Sequence, residues 1–199
     1  MTLADALLAD VIANPADDTP RLVYADWLDE NGHESRAEFI RVQIEMWRRR
    51  AGPAGLVSED SPWLANDAAY QFMRRREWEL LDAALRDLPR AFRAAVPYGA
   101  AFSDHLSFRR GFVASVTLPC AGWLAHGPAL VRAAPLEEVR LSDAAMIESR
   151  DGRAPARFAA AFLRDFLAPS WWPQAFHPTA EAAWAALSAA CLARARAAG

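Results

Sequence analysis

Four charged side chains, Arg21, Asp26, Glu38 and Arg41, stand among apolar residues on two successive helical stretches joined by a short loop. A pair of carboxylates such as Asp26 and Glu38 could do acid-base work, but the sequence places no nucleophile or metal ligand beside them. The same charges can pair across a helix interface and set its angle, so the four are read as a structural ion-pair network. His33, His105, His126 and His177 fall in different segments, with no H-E-x-x-H and no cysteine at ligand spacing. Cys120 and Cys191 form no C-x-x-C and read as reduced, buried thiols. All 22 basic residues are arginine, which leaves no lysine for a phosphate loop or a Schiff base. Ser115 and Ser142 have no G-x-S-x-G surroundings. No metal, no cofactor and no enzymatic activity are expected.

Partner chemistry is better represented. Two arginine triplets, Arg48-Arg49-Arg50 and Arg74-Arg75-Arg76, lie beside Trp47 and Trp78. Successive helical residues point about 100° apart, so a triplet makes no single flat phosphate-binding face. The triplets read as solvated surface, as contacts to the acidic head or to a protein partner, or as phosphate contacts. Arg74, Arg75 and Arg76 are kept as partner-binding candidates. Among eight tryptophans, Trp171 and Trp172 sit between Pro169 and Pro173, where helical packing cannot bury both rings. They either plug a core under the last helix or meet a partner, since interfaces favour Trp and Arg.

The wider composition fits such a role. Over 199 residues, 53% are apolar and 24% charged, and 45 are alanine, a globular and helix-rich balance. Residues 1–47 carry ten acids against three arginines, while the remainder is mildly basic. Such a dipolar chain could dock head to body within itself or between copies. The opening residues lack a basic n-region, and the most apolar stretch, 182–193, is too short to span a bilayer, so a cytoplasmic location without membrane attachment is expected.

The elements that must position these residues divide into five stretches. Residues 1–50 read as three antiparallel helices: Thr2 and Asp5 cap Leu3 to Ala13, Thr19-Pro20 opens the second, and Ser35 with Glu38 forms a capping box for the third. Residues 51–61 are a turn-rich linker. Residues 62–104 hold a long helix to about Asp87, with Trp78, Leu81, Leu85, Leu88 and Phe92 at a spacing that the core or a partner helix must cover, and a connection. In residues 105–145 the period becomes alternating: a hairpin turns at Arg109-Arg110-Gly111, and Val113-x-x-Val116-x-Leu118 recurs as Leu136-x-x-Val139-x-Leu141. That strand-plus-helix period matches a degenerate leucine-rich repeat of two units. Residues 146–199 form a helical tail, 156–167 and 179–198, whose last helix caps the short repeat. The fold class expected is mainly α with a small β part.

The run Asp17-Asp18-Thr19-Pro20-Arg21-Leu22-Val23-Tyr24-Ala25-Asp26-Trp27-Leu28-Asp29-Glu30-Asn31-Gly32, followed by Arg36-Ala37-Glu38-Phe39-Ile40-Arg41-Val42-Gln43, resembles the bacterial repeat-companion domain. Arg109-Arg110-Gly111-Phe112-Val113 to Leu141 resembles the way that family leads into leucine-rich repeats. The resemblance implies a helical head joined to a repeat surface and carries no activity. This chain lacks a long repeat array and has a helical tail instead. A protein-interaction module, an adaptor or small subunit of a bacterial assembly, is therefore the expected function, with homo-oligomerisation open; nucleic-acid association through the arginine triplets is the alternative, and an unrecognised enzyme a third.

Overall fold

A computed structural model describes residues 2–52, 55–96, 102–143, 146–147, 156–158, 176–177 and 180–198. It has the expected class, mainly helical with small sheets. Two compact units divide the chain: Met1–Pro89 with Phe108–Val113, and Arg90–Ser107 with Ala114–Gly199. The stretch 51–61 lies inside the first.

The first unit opens with α1 (Leu3–Ala13), α2 (Thr19–Glu30) and α3 (Glu34–Arg50). The Thr2 and Asp5 capping box forms as expected, each side chain accepting the other residue's backbone N–H. The other two starts differ. Asp18 rather than Thr19 occupies the N-cap position of α2, without a side-chain capping bond, and α3 begins two residues earlier than expected, with His33 at its N-cap, so Ser35 and Glu38 are already helical and form no box. Glu38 is drawn to Arg76 instead. Gly32, with φ +79, ends α2 as the sequence implies.

Val11, Ala25, Leu28, Ala37, Ile40 and Ile44 bury one face of each helix in a common core, while Leu3 at the start of α1 stays exposed. After the short hairpin of β1 (Ala51–Gly52) and β2 (Gly55–Leu56), the long helix expected from 62 is broken in two: α4 (Pro62–Asn66) and α5 (Ala68–Arg86). Asp67 sits extended between them, its carboxylate accepting the N–H groups of Ala69 and Tyr70 at 2.9 and 3.2 Å.

Phe108–Val113 is the tip of a hairpin formed by β3 (Leu106–Arg109) and β4 (Phe112–Leu118). Its two turn residues, Arg110 (φ 49) and Gly111 (φ 86), both have positive φ, the turn whose twist matches paired strands. Phe112 joins the core of the three helices, and Phe108 packs edge-on to Phe39.

In the second unit, α6 (Arg90–Ala95) and α7 (Phe102–His105) precede the stem of that hairpin. Strand β4 continues through α8 (Cys120–Ala133) to β5 (Glu138–Leu141), which runs parallel to it. Ser115 lies opposite Glu138, Val116 opposite Val139 and Leu118 opposite Leu141, so the 23-residue spacing of the sequence motif is the register of the sheet. Of β6 (Met146–Ile147), β7 (Ala156–Phe158) and β8 (Phe176–His177), β7 is the central strand, antiparallel to both neighbours. Residues 156–158 are therefore strand where a helix was expected; the rest of that expected helix and the expected third repeat, 159–164, lie outside the described residues. The final helix, α9 (Ala180–Ala197), buries Leu187, Cys191 and Leu192. It covers the outer edge of β5: Ser188 Oγ accepts the Val139 N–H at 2.7 Å and Arg196 donates to Leu136 O at 3.2 Å.

Candidate functional site

The side chains of α5 are sorted by what α3 offers. Leu80 and Ala84 pack with Phe39, and Tyr70 with Met46 and Leu64. Polar pairs follow the same face. Arg76 lies against Glu38 in a two-pronged ion pair, both N–O distances 2.7 Å, and also pairs with Glu79 at 2.9 Å. Arg76 holds the Glu38 carboxyl below its ordinary pKa. Glu77 accepts from Gln43 Nε2 at 2.6 Å, and burial pushes its carboxyl above the ordinary value.

With residues 70, 73, 77, 80 and 84 turned inward, helical geometry turns 71, 75, 78 and 82 outward. Trp78 is 76% exposed, Phe72 71% and Trp63, on α4, 57%. Arg74 and Arg75 are exposed beside them and form no ion pair with a described residue. The spacing of Trp78, Leu81, Leu85, Leu88 and Phe92 asks for cover by the core or by a partner helix; Leu88 and Phe92 are buried, Leu81 and Leu85 half-buried, and Trp78 stays exposed.

The sequence candidates separate. Arg74 and Arg75 are available to a partner, and Arg76 is taken by Glu38. In the other triplet Arg48 pairs with Asp18, Arg49 with Glu45 and Asp67, and Arg50 with Glu59 and the Val57 carbonyl. Trp171 and Trp172 lie outside the described residues.

Arg21, Asp26, Glu38 and Arg41 do not form one network. Arg41 clamps two α2 carboxylates, Asp26 at 2.7 Å and Asp29 at 2.6 Å. Arg21 is fully buried, donates to Asp17 O at 2.7 Å and lies over the Phe112 ring at 5.8 Å, anchoring the turn between α1 and α2. Glu38, on the α5 side of α3, belongs to Arg76. The carboxylates of Asp26 and Glu38 are held by different guanidiniums, an arrangement that orders helices.

Residues that the sequence reading passed over hold the hairpin tip. Gln43 spans two elements: its Oε1 accepts the Gly111 N–H at 2.6 Å while its Nε2 binds Glu77. Arg36 donates to Gly111 O, and burial lowers its guanidinium to about 10. Arg110 donates to the carbonyls of Pro15 and Ala16 and to Asp18, and stacks 5.2 Å from Trp47. A Gln inside an apolar helical face was the available signal.

Both thiols are chemically quiet at neutral pH. Burial pushes Cys120 up to about 12, helped by the Asp143 carboxylate, and burial does the same to Cys191. Among the described residues no three of His, Cys, Asp and Glu gather as metal ligands, and no helix is long and apolar enough to cross a membrane. No family model matches the chain, and no curated protein or solved structure matches it.

Proposed function

We propose that the protein is a non-enzymatic interaction module of the repeat-companion type, an adaptor or small subunit that binds another protein through the outer face of α4 and α5. The observation that carries this reading is the exposure of Trp63, Phe72 and Trp78 beside Arg74 and Arg75 on helices whose inner faces bury Leu64, Tyr70, Leu80 and Ala84. Large aromatic rings left in water on a well-ordered helix cost solvation free energy that a partner recovers, and Trp and Arg dominate the energetics of protein interfaces. Trp171 and Trp172 are proposed as a second contact.

Nucleic-acid association is the weaker reading, since a phosphate would have to displace carboxylates from Arg48, Arg49, Arg50 and Arg76. The test is affinity capture from native lysate, with and without nuclease, comparing the wild type with a Phe72→Ala/Trp78→Ala variant and a Trp171→Ala/Trp172→Ala variant. A nuclease-resistant protein partner lost with the first variant is expected. Loss of everything on nuclease treatment, or equal retention by both variants, overturns the reading.

A further inference from the structure

The outward stripe of α5 has an internal symmetry of charge. Gln71, Arg75, Trp78 and Asp82 are all exposed and, at 100° per residue, fall within one narrow band. Arg75 and Asp82 are two turns apart, about 10.5 Å along the axis, with Trp78 near the midpoint. Neither Arg75 nor Asp82 forms an ion pair with a described residue, whereas Arg41, Arg48, Arg49, Arg50 and Arg76 of the same unit do. Laid antiparallel on itself, this stripe places a cation opposite an anion twice and brings the two indole rings together at the centre.

We infer that the occupant of this face is a second copy of the chain: two protomers pair through antiparallel α5 helices about a twofold axis level with Trp78 and Glu79, Arg75 of each facing Asp82 of the other. The inference rests on the interaction-module reading and names its partner. A twofold contact is self-complementary by construction, which is what a stripe of the order cation, aromatic, anion supplies. Phe72 flanks the stripe on one side and extends its apolar area. One helix face is smaller than the roughly 800 Å² per partner of a standard interface, so the dimer is weak and concentration-dependent.

Sedimentation velocity on the purified full chain over a broad concentration series tests the pairing. The wild type is expected to move from one chain to two. Arg75→Glu and Asp82→Arg each set like charges face to face and are expected to weaken the dimer by about tenfold or more, as is Trp78→Ala. Mixing the Arg75→Glu chain with the Asp82→Arg chain restores both opposite-sign pairs, so a mixed dimer of wild-type affinity is expected, which also shows that both variants are folded. A wild type that stays monomeric, single variants that dimerise undiminished, or a mixture that does not recover overturns the inference. A monomeric protein that still captures a nuclease-resistant partner through Phe72 and Trp78 overturns only the self-pairing and leaves the interaction-module reading standing.

Discussion

Gly111 illustrates how one missing side chain can decide a docking. A Cβ there would lie 2.5 Å from Ile40 Cγ1 and 2.6 Å from Ile40 Cα, and its φ of +86 is one that L side chains rarely adopt. Both the backbone strain and the clash with α3 backbone therefore oppose any substitution. Gly111→Ala is expected to cost about 2–5 kcal/mol, read from urea denaturation, with the hairpin tip released from the helices. A loss below about 0.5 kcal/mol would show that the tip is not seated on Ile40.

Glu77 gives a second test at this scale. Its folded pKa lies above the ordinary carboxylate value because burial disfavours the anion. A raised carboxyl binds a proton more tightly folded than unfolded, so its contribution is favourable below the unfolded pKa and is lost as pH rises through the folded one. Glu77→Gln keeps an acceptor for Gln43 and removes the charge. The variant is expected to melt at a higher temperature than wild type at pH 7, with the difference shrinking toward pH 4; an unchanged or lower melting temperature at pH 7 would contradict the assignment.

Elements in this protein are terminated and aligned by polar side chains from elsewhere in the chain. Asp67 ends one helix and starts the next, and its pairing with Arg49 at 3.0 Å ties that break to α3. Asp143 does a related task in the second unit, accepting the Cys120 N–H at 2.8 Å where α8 begins. At the edge of the parallel pair, Ser188 supplies the acceptor that a further strand would have offered to Val139. Removing it leaves a buried donor unsatisfied, so Ser188→Ala is expected to destabilise the protein by about 1–3 kcal/mol in chemical denaturation. A neutral result would mean that Val139 finds another acceptor.

For the whole molecule, the chain order and the compact units disagree: the hairpin tip, Phe108–Val113, belongs with helices that end some twenty residues earlier. Hydrogen exchange reports on this directly. The Gly111 amide, held by buried Gln43, is expected to share the opening free energy of α3 amides under increasing urea, whatever that of α8. If Gly111 exchanges freely while α3 remains protected, the tip is not part of the first unit's cooperative structure.

Periodicity was enough to place α1 through α3, the hairpin turn and the 23-residue step between β4 and β5, and the Thr2–Asp5 box the start of α1, because each depends on residues near one another along the chain; the caps expected for α2 and α3 did not form. The class of the fold was legible for the same reason. The break at Asp67 rests on a local cap to Ala69 and Tyr70 that the reading passed over, while the turning of Trp78 to solvent follows from which residues of α5 pack on α3. Spacing could not assign Glu38 to Arg76 and Arg41 to Asp26 and Asp29: a charged side chain takes the partner that packing brings within a few ångströms, and sequence distance does not encode it. The arginine triplets were visible as residue types, while tertiary structure alone separated Arg74 and Arg75, left in water, from the four arginines already held by carboxylates.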